Sequence, residues 1–83
     1  MNFRFISDPG HGWVEVPIKL IEVLGIKSKI SAYSYRKGDM AYLEEDCDAY
    51  QFTQACKAQG ITVEYSEVYE ERTAIRNYAR FTC

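Results

Sequence analysis

Several residue types on which functional sites commonly depend are scarce in this sequence. It contains one histidine, two prolines and three cysteines among 83 residues. Cys47, Cys56 and Cys83 are odd in number and show no CxxC spacing, which argues against both a disulfide framework and a zinc site. We therefore expect free thiols, with Cys56 as a small buried hydrophobic residue and Cys83 prone to oxidation. We expect no structural metal and no cofactor.

Long apolar segments and basic runs are also missing. The longest apolar stretch, residues 16 to 24, is interrupted by Pro17, Lys19 and Glu22, so it is too short and too polar for a membrane span. The first residues lack the apolar core and the cleavage site of a signal peptide. Basic residues are dispersed, which argues against a nucleic-acid surface. We expect a cytoplasmic protein that contacts neither membrane nor nucleic acid directly.

Charge is unevenly distributed, although the net charge is only −2. Residues 1 to 38 contain six basic and three acidic residues, and residues 72 to 83 contain three arginines. Residues 39 to 71 contain nine acidic residues and a single lysine. This acidic middle is the strongest electrostatic feature of the chain, and it indicates a surface that attracts basic partners.

The order of apolar and turn-forming residues predicts a single α+β domain over residues 1 to 83. A hydrophobic content of 47% is that of a folded protein. Strands are expected at residues 3 to 7, 12 to 16, 31 to 35, 40 to 43 and 61 to 65, and helices at Pro17 to Leu24 and Asp48 to Gln59. The resulting order, ββαββαβ, is typical of a mostly antiparallel sheet of about five strands with both helices on one face.

Two further predictions concern the start of the second helix and an additional short helix. Asp48 and Gln51 have the spacing of a capping box at the start of the second helix. Near the end of the chain, Ile75, Tyr78 and Phe81 lie three residues apart, which predicts a short helix over residues 73 to 81.

The segment DPGHGW, residues 8 to 13, contains the only histidine and the only tryptophan of the chain. Asp-Pro-Gly is a turn sequence, so we expect His11 at the tip of a connection between two strands. A solvent-exposed tip is one interpretation. Ligand contact or acid–base work by His11, with Asp8 beside it, is the alternative. No nucleophile motif accompanies them, so no catalytic residue and no enzymatic activity are predicted.

Strand alternation places Trp13 on the sheet face opposite Val14. Tyr42 falls on a matching face of its own strand, and Tyr33 and Tyr35 share a face of theirs. If the helices cover the valine side, these four aromatic residues lie on an open face that binds a protein or a planar ligand. Ordinary cross-strand aromatic packing is the alternative.

The densest acidic run is YLEEDCDAY, residues 42 to 50. Asp46 and Asp48 are explained by the start of a helix, where negative charge is favourable. Glu44 and Glu45 are not needed there, so they are predicted to form an exposed acidic patch that meets a basic partner. The ligand spacing and the glycine of a calcium-binding EF-hand are absent.

Three separated motifs, FISDPGHGWVEVP, KISAYSY and AYLEEDCDA, resemble a group of small proteins encoded by bacteriophages and related mobile elements. The resemblance covers most of residues 5 to 61 and brings no known active site with it. It implies a small protein that an invading element makes in the bacterial host cytoplasm. Such proteins often bind a host protein or a host signalling molecule.

Three functional hypotheses follow. The leading one is binding of a host protein, as an inhibitor, modulator or anti-defence protein, through the acidic segment and the aromatic face. The second is binding of a small molecule or nucleotide signal by the aromatic face and His11, and a hydrolase is a distant third. Self-association into a homodimer is compatible with each.

Overall fold

The computed structural model describes residues 1–81, so the expectation for Cys83 lies outside the described residues. Strands, α-helices and short 3₁₀ segments alternate along the chain. They are β1 (Asn2–Ser7), β2 (Gly12–Pro17), α1 (Ile18–Val23), a 3₁₀ turn (Lys27–Lys29), β3 (Tyr35–Lys37), β4 (Met40–Glu44), α2 (Asp48–Ala58), β5 (Glu64–Tyr69), a second 3₁₀ turn (Ala74–Asn77) and β6 (Ala79–Arg80).

The strands of the described chain form one sheet in the order β5-β1-β2-β4-β3-β6. β1 and β5 are parallel, and every other neighbouring pair is antiparallel. The α+β class and the mostly antiparallel sheet are thus confirmed, with six strands within residues 1–81 where about five were expected. Both helices lie within about a residue of their predicted bounds.

Both helices pack on the same face of the sheet and form the main core with it. Ile21 of α1 and Phe52 of α2 are completely buried there, beside Val14 and Val16 of β2. The ring of Phe52 meets Phe3 of β1 edge-on, with centroids 5.1 Å apart. Burial of each such side chain contributes about 1.5–3 kcal/mol, which is substantial for a domain of this size. Cys56 belongs to this core, as expected.

The opposite face of the sheet is covered by the C-terminal segment, residues 70 to 81. This segment connects β5 at one edge with β6 at the other, and its Ile75 packs against the sheet. Trp13 is 2% exposed and Tyr42 is 7% exposed beneath it. The alternation that places them on this face is confirmed, but the prediction of an open aromatic face is wrong. Alternation within a strand indicates the face of a side chain, and it does not indicate what covers that face.

The predicted C-terminal helix is also wrong. The segment forms the 3₁₀ turn Ala74–Asn77, and Ala79 and Arg80 then pair with β3. A three-residue spacing of apolar side chains matches the period of a 3₁₀ helix as well as one face of an α-helix. Phe81 is 1% exposed and enters the helix-side core.

The predicted capping box at the start of α2 does not form. Cys47 is the residue before the helix, and no side chain caps the helix start there. The carboxylate of Asp48 instead accepts hydrogen bonds from Ser31 and Ser34. Both serines lie in a loop, so the predicted strand at residues 31 to 35 is wrong, and β3 begins only at Tyr35.

The fifth strand also lies later than predicted. It begins at Glu64, whereas Ile61 and Val63 belong to the connection before it. Both apolar side chains still pack against the main core, which explains their spacing in the sequence.

Within residues 1–81, no helix has the length and apolar character needed to cross a membrane.

Candidate functional site

A cavity of about 420 Å³ lies where the β1–β2 turn, the start of α2 and the C-terminal segment meet. Its volume is within the range of roughly 300–1,000 Å³ that is usual for small-molecule sites. Aromatic, basic and acidic side chains surround it. They are His11, Trp13, Tyr33, Tyr35, Glu44, Asp46, Cys47, Arg76 and Arg80.

The β1–β2 turn that carries His11 is fixed by Asp8. The Oδ1 atom of Asp8 accepts hydrogen bonds from the backbone N–H groups of Gly10, at 2.9 Å, and His11, at 2.8 Å. The backbone N–H of Asp8 in turn donates to the carbonyl oxygen of His11 at 2.9 Å. This is the local side-chain-to-backbone bonding that favours aspartate in tight turns. His11 therefore stands on a turn of defined shape.

The same carboxylate binds Arg76 of the C-terminal segment. Arg76 donates from Nε to Oδ2 at 2.7 Å and from Nη2 to Oδ1 at 2.9 Å, and the Asp8 side chain is 4% exposed. The Arg76 guanidinium, assisted by the backbone donors of the turn, holds the pKa of Asp8 well below its usual range, against the opposing effect of burial. Asp8 is thus a charged structural residue behind the cavity, and its oxygens are occupied by protein donors.

Two arginines lie against aromatic rings at the cavity. The guanidinium of Arg76 is 5.4 Å from the ring centre of Trp13, and that of Arg80 is 4.7 Å from the ring centre of Tyr35. Trp13 and Tyr35 meet edge to face, with centroids 6.3 Å apart. Arg80 also donates from Nη1 to the carbonyl oxygen of Ala32 at 3.2 Å. These cation–π contacts help to orient both guanidinium groups.

Trp13 has one further property. Its indole Nε1–H is buried and has no hydrogen-bond partner within residues 1–81. A buried donor of this kind is unusual in a folded protein, because leaving it unpaired costs about 1–3 kcal/mol.

His11 lies close to the carboxylate of Glu44 in the lining of the cavity. The Nδ1 atom of His11 lies 3.8 Å from Oε1 of Glu44, and the side chains are 49% and 10% exposed respectively. Oε2 of Glu44 accepts a hydrogen bond from the backbone N–H of Asp46 at 2.9 Å. Glu44 is therefore buried, and its predicted place in an exposed acidic patch is wrong. Glu45, the next residue, is exposed as predicted.

The loop that carries Tyr33 is held by the first residue of α2. Asp48 accepts hydrogen bonds from the hydroxyl of Ser31, at 2.7 Å, and from that of Ser34. Ser34 in turn accepts from the backbone N–H of Glu44 at 2.9 Å, so it joins the loop to β4 as well. Tyr33 itself is 66% exposed on the rim of the cavity. A buried polar network thus positions an exposed aromatic ring.

Cys47 also lines the cavity, at the start of α2. Desolvation and the carboxylate of Glu44 raise the pKa of its thiol. A smaller fraction of Cys47 is therefore present as the nucleophilic thiolate than in a free cysteine.

The structure brings together five of the eight predicted binding residues. The five that line the cavity are His11, Trp13, Tyr33, Tyr35 and Glu44. Asp8 lies behind the wall and Glu45 lines a different groove. Tyr42 packs against Tyr78, with ring centroids 5.1 Å apart, on the same sheet face.

Arg76 and Arg80 are the main cavity residues that the sequence interpretation missed. They belong to a stretch of residues 72 to 83 with three arginines and no acidic residue, so a charge signal was present. The path of this segment across the sheet depends on contacts with distant strands.

Among residues 1–81, no group of histidine, cysteine, aspartate or glutamate side chains is arranged to hold a metal ion. No protein-family model, curated protein or solved structure matches the chain significantly. The inference about function therefore depends on the geometry of this cavity.

Proposed function

We propose that this protein binds a small molecule that combines a planar ring with an acidic group, of which a nucleoside monophosphate is the best-fitting class. The observation that carries the proposal is that Tyr33 and Arg80, both exposed, line the cavity together with buried Trp13 and Glu44.

The acidic group of the ligand would be bound by the two arginines. Arg80 forms no ion pair within residues 1–81, so no protein carboxylate lies within 4 Å of its guanidinium. Arg76 uses Nε and Nη2 for Asp8, which leaves Nη1 for a ligand oxygen. Planar guanidinium groups bind phosphate and carboxylate oxygens with good geometry.

The planar ring of the ligand would stack on the exposed aromatic surface of the rim. Tyr33 is 66% exposed, and the buried serine network below it fixes its backbone. Stacking of a base on an aromatic side chain contributes about 1–3 kcal/mol and is tolerant of base identity. The carboxylates of Glu44 and Asp46, which also line the cavity, would accept hydrogen bonds from amino or hydroxyl groups of the ligand.

We propose binding rather than catalysis as the function of the cavity. The raised pKa of Cys47 disfavours the thiolate, and both oxygens of Asp8 are engaged by Arg76 and the turn. Binding of a host protein through the acidic segment and the aromatic face stays a prediction, although Trp13, Tyr42 and Glu44 are buried and do not offer the exposed contacts that it assigned to them.

Isothermal titration with adenosine 5′-monophosphate tests the proposal, with adenosine and inorganic phosphate as separate probes. We expect the nucleotide to bind more tightly than either fragment, because it engages both the rim aromatic and the arginines. Arg80→Gln and Tyr33→Ala should each weaken binding by about fivefold or more.

Matched controls separate this site from general charge and aromatic effects. Arg72→Gln removes an exposed arginine, and Tyr50→Ala removes an exposed tyrosine of α2; neither residue lines the cavity. Both variants should bind the nucleotide as the wild type does. Equal loss of affinity in Arg72→Gln and Arg80→Gln, or no detectable binding of the nucleotide to the wild type, would contradict the proposal.

A further inference from the structure

The sheet has one long exposed edge, formed by β5. This strand pairs with β1 over six residues, Glu64–Tyr69, and no strand of residues 1–81 lies on its other side. Five of its residues are exposed and Val68 is partly buried. At the opposite edge, β6 has only two residues, which offers little backbone for pairing.

The backbone of β5 has a defined set of groups that point away from the sheet. The backbone N–H of Glu64 donates to the carbonyl oxygen of Met1 at 2.9 Å, and that of Glu70 donates to the carbonyl oxygen of Ser7 at 2.8 Å, so both point towards β1. Because hydrogen-bonding direction alternates along a strand, the N–H and C=O groups of Tyr65, Glu67 and Tyr69 face outward. Unpaired edge groups of this kind form a template for an additional strand.

The residues of this edge carry strong negative charge. Glu64, Glu67, Glu70 and Glu71 are all exposed, and none has an ion-pair partner within residues 1–81. Long-range attraction would therefore favour a basic segment at this edge.

A groove of about 480 Å³ lies beside the strand, on the helix side of the sheet. Apolar side chains, among them Phe5, Val14 and Ala49, line it together with the carboxylates of Glu45 and Glu67. The hydroxyls of Tyr65 and Thr53 hydrogen-bond to each other at 2.9 Å in its wall. An apolar groove with two carboxylates suits the aliphatic stem and the charged end of a lysine or arginine.

A second copy of this chain does not suit the edge. An antiparallel pairing of two β5 strands centred on Glu67 would place Glu67 opposite itself and Glu64 opposite Glu70. Like charges directly opposite one another destabilise a strand pair. Other registers avoid this direct opposition, but two strands that each carry several exposed glutamates still repel one another, so charge complementarity favours a basic partner over a second copy.

We propose that β5 binds an extended, basic segment of a partner protein as an added strand, with one lysine or arginine side chain entering the groove between Glu45 and Glu67. Main-chain hydrogen bonds to Tyr65, Glu67 and Tyr69 would provide affinity, and the groove would provide selectivity for the basic residue. This surface is separate from the ligand cavity and does not depend on the function proposed for it.

The probe for the experiment is a peptide of alternating lysine and valine about as long as β5, with a glutamate–valine peptide as its control. Binding to the intact protein is followed by amide NMR and hydrogen exchange. We expect the lysine peptide to bind and to slow exchange at the N–H groups of Tyr65, Glu67 and Tyr69. The glutamate peptide should not bind.

Two substitutions of Glu67 distinguish the contribution of its charge to peptide binding from that of its backbone N–H. Glu67→Gln should weaken peptide binding about two- to fivefold through loss of charge. Glu67→Pro also removes an outward N–H that β1 does not use, and proline is tolerated in edge strands at such positions. It should weaken binding by about a further fivefold, as expected for one lost hydrogen bond.

Asp39→Asn is the matched control, because it removes one exposed carboxylate at the β3–β4 turn, outside the groove. It should leave peptide affinity unchanged, and none of the variants should alter nucleotide binding in the cavity. The proposal is overturned if the lysine peptide does not bind, if Asp39→Asn weakens it as much as Glu67→Gln, or if the slowed amides lie elsewhere. Dimerisation of the protein through β5 would overturn it as well.

Discussion

Arg76 binds Asp8 through two hydrogen bonds, from Nε to Oδ2 at 2.7 Å and from Nη2 to Oδ1 at 2.9 Å, although 68 positions separate the two residues in sequence. The pair joins the β1–β2 turn to the C-terminal segment that covers Trp13. Because the Asp8 carboxylate also binds the backbone of His11, one side chain fixes two walls of the cavity. The stability of the fold and the shape of the cavity are therefore linked at this pair.

Asp8→Asn should destabilise the protein, because an amide cannot replace the charged acceptor of the Arg76 bonds. We expect the melting temperature to fall by about 5 °C or more. The C-terminal segment should also loosen, so that an added quencher reaches Trp13 and reduces its fluorescence. Glu22→Gln is the control, because its ion pair with Lys27 at 3.0 Å is exposed and should contribute little. Unchanged quenching of Trp13 in Asp8→Asn would show that this pair does not hold the segment.

The stabilisation by Asp8 should depend on pH with a defined sign. The folded pKa of Asp8 is lowered, mainly by Arg76, relative to an unfolded value of about 3.9. The contribution is therefore fully present above about pH 4 and is lost as the pH falls through the folded pKa. Urea unfolding of the wild type and of Asp8→Asn should show a stability difference near neutral pH that shrinks in acid. A difference that grows in acid would contradict this assignment.

Tyr42 provides a test at alkaline pH. Burial and a hydrogen bond with Glu15 raise its pKa to about 12. Since the folded state holds the proton more tightly than the unfolded state, stability should be fully present below about pH 10 and fall as the pH rises towards the folded pKa. The phenolate absorbance of the wild type minus that of Tyr42→Phe should appear only near this raised value. Titration of the difference signal near the usual tyrosine pKa would be the contrary result.

Trp13→Ala should be strongly destabilising. Trp13 is 2% exposed, and it contacts Tyr35 and Arg76 on the covered face of the sheet. Removal of a buried tryptophan side chain costs about 3–5 kcal/mol of unfolding free energy. Chemical denaturation followed by circular dichroism measures the loss. A loss below about 1 kcal/mol would mean that Trp13 is much more exposed in solution.

The elements with local signals are those that the sequence predicts well. Pro17 and Gly25 delimit α1 because their backbone properties act within a few residues, and Gly25 has the left-handed φ of 72° that ends a helix. Alternation correctly separated Val14 from Trp13, since successive side chains of a strand point to opposite faces. The predicted strands and helices therefore appear in the right order up to β5.

The errors arise where distant residues decide the local structure. Asp48 has the sequence signature of a helix cap, yet its carboxylate binds Ser31 and Ser34, 17 and 14 positions away. The apolar spacing of residues 73 to 81 predicts a helix, because spacing alone does not reveal that this segment crosses the sheet and that its end pairs with β3. Five of the nine residues that line the cavity were therefore predictable from local sequence features, whereas its two arginines were not.

The serine network below Tyr33 should affect both the stability of the fold and ligand binding. Ser34→Ala removes one donor to Asp48, which keeps the hydroxyl of Ser31, and it leaves the backbone N–H of Glu44 without its acceptor. A buried group left unpaired costs about 1–3 kcal/mol. We expect a lower melting temperature and weaker binding of adenosine 5′-monophosphate, because the loop no longer fixes the tyrosine ring. Tyr33→Ala should weaken binding without lowering the melting temperature, since its side chain is 66% exposed. If Ser34 affects the ligand through Tyr33, the double variant should bind about as weakly as Tyr33→Ala alone, because coupled residues are not additive. Fully additive losses of affinity would show that Ser34 acts on the cavity by another route.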